Sequence, residues 1–253
     1  MVDALSRDVF LGGRLAIWQP LAGYRAATDP VLLAASVPAR SGQSVLELGC
    51  GAGVALLALG ARVPGLALHG VERQPGYADL ARRNAAENGL AVAVSVADLT
   101  ALPPELRLGF DQVIANPPYY RPGSPAARDA GRDAALREET PLGHWIDAGL
   151  RRCKTGGFFT LIHLAERLPE ILVALEGRAS VAVRPIAARE GRAAGRVLVQ
   201  ARKGGRAPFR LLAPLVMHQG AAHRGDGDDF TPRAQALLRD AQPLDWAGAG
   251  ESA

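Results

Sequence analysis

Asn116-Pro117-Pro118-Tyr119 is the most chemically specific stretch of the chain. It directly follows residues 110–115, an apolar run of the buried-strand type. An asparagine side-chain oxygen and a proline carbonyl are both hydrogen-bond acceptors. Two such acceptors converging on one NH2 group hold it and draw its lone pair out of conjugation. The flat ring of Tyr119 can stack on a heterocycle beside that group. As plain structure, the same residues make a rigid turn with half-buried aromatics at Tyr119 and Tyr120.

Three further polar positions stand at comparable points. Glu47-Leu48-Gly49-Cys50-Gly51-Ala52-Gly53 joins a short apolar run to an apolar helical segment. A glycine-rich turn lets the backbone approach a ligand closely, and the helix start offers free N–H groups. Alone, it fits a tight strand-to-helix turn or a dinucleotide site equally well. Glu72 closes the next strand, 19 residues after Gly53, where a carboxylate can accept from both hydroxyls of a ribose. Its plain alternative is a surface glutamate beside Arg73. Asp98 ends the third strand, placed to face an adenine amino group or simply to cap a turn. The set is more telling than its members. Glu47, Glu72, Asp98 and Asn116 stand at the carboxyl ends of successive strands, where open α/β sheets form their ligand crevice.

A parallel sheet must lie beneath them, and the periodicity supplies one. Residues 44–48, 66–71, 91–97, 110–115 and 157–163 read as strands. Helices are expected over 54–63, 75–88, about 138–152 and 165–176. The alternation predicts an α/β fold, a mostly parallel Rossmann-like sheet built from βαβ units. Residues 180–188 and 196–201 read as a hairpin that adds an antiparallel strand near the C-terminal end. Thr28-Asp29-Pro30 is a helix start, with the helix over about 30–37. Ahead of it, Gly12-Gly13 reads as an irregular start and Gln19-Pro20 as a turn. Residues 209–217 are expected to add one strand, 219–229 to form a polar loop, 232–240 a short helix and 247–253 a loose tail. One domain over 1–253 follows, with an N-terminal segment at 1–43, a core at 44–218 and an irregular end at 219–253.

Composition excludes other classes. With 253 residues, 48% of them hydrophobic, and 29 basic against 25 acidic side chains, the chain is globular rather than disordered. Two cysteines, Cys50 and Cys153, cannot build a disulfide framework, and no CxxC or Cys/His cluster suggests zinc. No apolar run reaches membrane-spanning length, and Asp3, Arg7 and Asp8 stand where a signal peptide needs apolar residues. The expected location is the cytoplasm. The basic residues are 27 Arg and 2 Lys, a bias that genome composition explains. Their placement is another matter. Residues 178–210 carry nine basic side chains against the single Glu190, leaving 20 basic and 24 acidic elsewhere. That is the pattern of a phosphate-binding hairpin, with Arg184, Arg189, Arg192, Arg196, Arg202 and Lys203 as expected RNA contacts, or of a solvated charged face. Arg121, Arg128, Arg132 and Arg137 suggest a second contact, diluted by Asp129, Asp133 and Glu138.

Taken together, 47–53, Glu72, Asp98 and 116–119 resemble the class I S-adenosylmethionine-dependent methyltransferases that methylate amino groups. Leu11-Gly12-Gly13-Arg14, Gly23-Tyr24-Arg25, Thr28-Asp29-Pro30, and Leu215-Val216-Met217-His218 followed by Phe230-Thr231-Pro232 resemble the ends of the bacterial tRNA1(Val) adenine N6-methyltransferases. The likeness covers about residues 8–240. It implies S-adenosylmethionine as cofactor, with Gly49, Gly51 and Gly53 cradling its methionine part above Glu47. Glu72 is then the ribose ligand, Asp98 the adenine ligand, and Asp29 a cover from the N-terminal side, which makes 1–43 a cofactor-covering segment. Asn116 and Pro117 grip the target amine while Tyr119 stacks on its base. Pro30 departs from the small residue expected there but suits a helix start.

The implied substrate is an adenine of tRNA beside the anticodon, and a base in folded RNA must be unstacked or lie in a loop to reach Tyr119. In-line positioning does most of the work, so no metal and no strong base are implied, and His144, His163 and His218 are ranked as structural. A monomer is favoured. Rival acceptors are a glutamine amide of a release factor, ribosomal RNA and DNA. Release-factor enzymes carry a helical recognition domain ahead of the catalytic one, for which 43 residues leave no room. A nicotinamide-dependent oxidoreductase leaves 116–119 unexplained and wants Gly or Ala at Val54. An RNA-binding module without activity is the third class.

Overall fold

The computed structural model describes residues 4–119, 140–222 and 229–246. The expected loop at 121–136, its four arginines and the tail at 247–253 lie outside them.

The parallel strands form on largely apolar runs, the central ones buried on both faces and the edge strand Val92–Val96 only half-buried. They are β3 (Ser44–Leu48), β4 (Ala67–Glu72), β5 (Val92–Val96), β6 (Phe110–Ala115) and β7 (Cys153–Leu164). Between and around them run α1 (Thr28–Ser36), α2 (Val54–Arg62), α3 (Pro75–Glu87), α4 (Leu142–Arg152) and α5 (Leu168–Leu175). β8 (Ala179–Ala187) and β9 (Ala194–Lys203) form the expected hairpin. β9 inserts antiparallel between β7 and β8, so the sheet order is β5-β4-β3-β6-β7-β9-β8. The α/β expectation holds, antiparallel strand included. Order reverses beside β3, whose neighbours are β4 and β6. A crevice opens at such a switch point, above the strands' carboxyl ends. Two cores sandwich the sheet. Leu32, Leu57, Ala85 and Leu237 belong to one, and Ile146, Leu150, Phe159 and Ile171 to the other.

Three segments differ from expectation. The N-terminal stretch is a β-hairpin, β1 (Leu5–Phe10) and β2 (Leu15–Pro20), turned by Leu11–Gly13. Gln19-Pro20 is therefore the end of a strand rather than a turn, with Pro20 paired to Leu5 where the edge tolerates a missing N–H. β7 begins four residues early, directly after α4. A register shift between Phe110 and Gln112 absorbs the extra residues around Gly156 and Gly157. The stretch 209–217 yields two short strands, β10 (Arg210–Leu211) and β11 (Leu215–Val216), both parallel to β8. Pro214, without an N–H, stands between them. A last helix, α6 (Pro232–Leu238), is capped by the Thr231 hydroxyl, which accepts from Ala234 N–H. No described helix is long and apolar enough to cross a membrane.

Candidate active site

Gly49, Gly51 and Gly53 all take left-handed conformations, with φ of +66°, +52° and +86°. Three such residues in five fold the chain back so that Gly53 N–H reaches the Cys50 carbonyl at 2.8 Å and α2 starts at once. Two of the three glycines answer to opposite demands. A Cβ on Gly49 would stand 2.5 Å from the Trp145 indole of α4, which packs against the loop. A Cβ on Gly51 would meet nothing within 4 Å, so this backbone faces an open cradle at a helix start. That is the fit a cofactor's charged end requires.

Beneath the loop, Glu47 is 3% exposed, and its Oε2 accepts the N–H of Leu56, the third residue of α2, at 3.0 Å. It thereby caps the helix from the strand below. Burial raises its carboxyl well above the usual range, against the lowering effect of the Leu56 bond, and nearby Glu72 adds to the rise. Glu72, also buried, accepts Gly51 N–H at 3.0 Å and Gln74 N–H at 2.8 Å. Its carboxylate so lies against the glycine loop. Asp98 follows β5 and accepts from the backbone and hydroxyl of Thr100, both on Oδ1. Those bonds hold its carboxyl below the usual range. Asp98 thus caps its own turn, and it stands beside the end of the strand paired with Glu72.

At the end of β6, Asn116 Nδ2 donates to the Tyr24 hydroxyl at 3.2 Å. Asn116 Oδ1 lies 3.2 Å from the Tyr119 hydroxyl, which donates to Asp29 Oδ2. Asp29 lies in the first turn of α1 and pairs through Oδ1 with Arg196 of β9. The Tyr119 ring meets His163 edge-on at 5.4 Å. Asp29, Asn116 and Tyr119 are thus brought together. The Asp29 carboxylate is turned to Tyr119 and Arg196.

Other participants have no site role assigned from the sequence, although Tyr24 lies in one of the resembling N-terminal motifs. Tyr24 is fixed through its backbone, its N–H donating to Tyr77 Oη at 3.0 Å and its carbonyl accepting from it at 3.1 Å. Burial pushes the Tyr24 phenol up, and the charge of Glu47 adds to that. Asn84 of α3 and Asn88 at its C-cap, four residues on, hold β2 by serving Trp18 and Ala16 as a strand would. His163 is fully buried at the end of β7. Burial, then the charge of Arg167, lowers its pKa to about 4. Perturbed groups collect at this one edge of the sheet, as functional sites tend to show.

The expected cationic hairpin is not one face. Arg184 is spent on the carbonyls of Ala213 and Asp245. Arg189 pairs with Asp229 at 2.5 Å, Arg196 with Asp29, and Lys203 donates to the Cys153 carbonyl. Arg202 reaches the Gly156 carbonyl at 3.3 Å. Arg192 is exposed at the tip between β8 and β9, on the site's side of the sheet. Arg196 and Arg202 are six strand residues apart, roughly 20 Å, so the cations divide between opposite ends of the sheet.

The sheet order, with a glycine loop, two acidic strand ends and an Asn-Pro-Pro-Tyr turn along one edge, defines a class I S-adenosylmethionine-dependent methyltransferase. Residues 27–131 match the methyltransferase small domain model. A tRNA1(Val) (adenine(37)-N6)-methyltransferase of Porphyromonas gingivalis is 33% identical over 178 residues, 65% of this chain and 68% of that one. One of the same name from Yersinia enterocolitica is 36% identical over 114 residues, 44% of this chain and 45% of its own length. A crystal structure of a predicted O-methyltransferase from Agrobacterium tumefaciens superposes with a TM-score of 0.69 at 30% identity, covering 86% of this chain and 98% of that one. The chain belongs to the tRNA1(Val) (adenine(37)-N6)-methyltransferase family. Its match spans less than half of the Yersinia relative. Family membership removes the nicotinamide oxidoreductase as a reading of the glycine loop and Glu72.

Proposed function

We propose that the chain transfers a methyl group from S-adenosylmethionine to N6 of an adenine in tRNA, beside the anticodon of a valine tRNA. The carrying observation is the Asn116 side chain at the end of β6, where β6 pairs with β3 just before the open cradle of Gly51, with Tyr119 against it. The cofactor, when bound, supplies a methyl group already activated on a sulfonium sulfur. Gly49, Gly51 and Gly53 hold its methionine end, Glu72 its ribose and Asp98 its adenine, with Glu47 fixing the loop from beneath. Asn116 Oδ1 and the Pro117 carbonyl accept the two amine hydrogens, which orients the nitrogen lone pair toward the methyl group. Tyr119 stacks on the unstacked base. The amine's proton leaves during or after attack, so the site needs no strong base. The hairpin β1–β2 covers the cofactor side of a single catalytic unit. The proposed partner is tRNA in the cytoplasm, and the proposed active form a monomer.

Incubation with labelled cofactor and bulk tRNA from a strain lacking the gene, followed by nucleoside mapping, tests this directly. Label in N6-methyladenosine of a valine tRNA is the expected result. Label in protein, or at another nucleoside, overturns the substrate assignment. Asn116→Ala is expected to abolish transfer nearly completely and leave S-adenosylhomocysteine affinity within a few-fold.

A further inference from the structure

Arg196, at the start of β9, does not face open solvent. Its side chain is 33% exposed and pairs with Asp29, itself 13% exposed. Asp29 in turn accepts from the Tyr119 hydroxyl, which also lies 3.2 Å from Asn116 Oδ1. A phenol has one proton, so the two acceptors compete for it. Hydrogen bonds to an ionised acceptor are roughly twice as strong as neutral ones, so the carboxylate wins while it stays charged and in place. The Arg196 guanidinium secures both conditions, since it pairs with the other carboxylate oxygen. Arg196 is itself fixed in the sheet, opposite Leu164 of β7 and Ile186 of β8.

We infer that Arg196 and Asp29 are positioning residues for methyl transfer, which draw the Tyr119 hydroxyl proton off Asn116 so that Asn116 Oδ1 stays available to the target amine. Without them the hydroxyl donates to Asn116 instead and fills the acceptor that the amine needs. This deepens the methyl-transfer reading and rests on it. It also removes Arg196 from the expected phosphate contacts, since its charge is turned inward.

The pair acts through Tyr119, and that makes the inference testable. Arg196→Ala and the isosteric Asp29→Asn are each expected to lower kcat about tenfold, the worth of one strong hydrogen bond, with KM for tRNA little changed. In a Tyr119→Phe background there is no hydroxyl to compete, and both losses are expected to disappear. If Arg196→Ala instead raises KM, more so at low salt and equally in either background, Arg196 contacts RNA phosphate and the inference fails. Urea unfolding of the wild type, Arg196→Ala, Tyr119→Phe and the double variant reads the same coupling without turnover. Additive losses overturn the inference. Coupled losses with an inactive wild type support the three-residue contact and fault the methyl-transfer reading.

Discussion

The side-chain amide of Asn84 donates to the backbone carbonyl of Ala52 at 2.9 Å. It also donates to the Trp18 carbonyl and accepts from the Trp18 N–H, so one fully buried residue of α3 ties the β2 cover strand to the glycine loop. The loop's shape and the cover's position therefore depend on each other.

Asn84→Ala leaves the Ala52 and Trp18 groups unpaired in a buried place. Each orphaned group costs about 1–3 kcal/mol, so stability is expected to fall by at least about 2 kcal/mol in urea unfolding. S-adenosylhomocysteine affinity, measured by titration calorimetry, is expected to drop with it. Asn84→Asp turns a buried carboxylate toward the Ala52 and Trp18 carbonyls, so it is expected to be at least as destabilising at neutral pH. Full cofactor affinity in Asn84→Ala would show that the loop holds its shape unaided.

The sheet and the polar strand ends were legible because continuous apolar strands and their terminal residues are local in sequence. Glu47, Glu72 and Asn116 stand at the ends of largely apolar runs that read as buried parallel strands, and Asp98 follows the alternating edge strand β5. The N-terminal hairpin was not legible for the opposite reason. Leu15 and Ile17 are buried and alternate with half-exposed neighbours, but the partners that complete the strand are Asn84 and Asn88, distant in the chain. Tyr24 is hidden in the same way, since only its contact with Asn116 gives it a role. The arginines of 178–210 are near one another along the chain but not in space. A run of nine cations is divided by the length of the β8–β9 hairpin, and several of them serve backbone carbonyls.

Glu47 gives a pH test. Its folded carboxyl is raised by burial, so its ionisation opposes folding. The associated stability is fully present below the unfolded value, near the ordinary carboxyl range, and is lost as pH rises toward the folded value. Glu47→Gln still offers an oxygen to Leu56 N–H and has no proton to lose. Thermal midpoints followed upward from pH 4.5 are expected to fall more for the wild type than for the variant. Parallel curves would mean that Glu47 is not held protonated.

If tRNA meets the site's side of the sheet, Arg192 and Arg206 must differ. Arg192 is exposed at the hairpin tip on that side, and Arg206 follows β9 at the other end. Arg192→Glu is expected to weaken tRNA binding and lower the slope of log affinity against log salt by about 1. Arg206→Glu is expected to leave both nearly unchanged. Arg189 is unsuitable for such a test, since reversing it faces Asp229 with a like charge. Equal effects at Arg192 and Arg206 would restore the hairpin as a single RNA-binding face.

His163 supports the Tyr119 ring from the end of β7, and it must be neutral to do so. Burial, with the charge of Arg167, lowers its pKa from the usual 6.5 to about 4, while its Nδ1 accepts Leu164 N–H at 2.8 Å. The unfolded chain binds a proton here that the folded chain refuses, so acid favours unfolding. The contribution is fully present above pH 6.5 and is lost as pH falls toward 4, by roughly 3 kcal/mol in all. His163→Gln retains an acceptor and cannot take the proton. Between pH 6.5 and 4 its stability in urea unfolding is therefore expected to decline less than the wild type's, by about that amount. The variant is less stable at neutral pH because the edge-on ring contact with Tyr119 is gone. Activity separates this role from general-base catalysis. A structural His163 gives a variant with reduced kcat and an unchanged pH–rate profile, whereas loss of an acid limb in that profile would make His163 the proton acceptor.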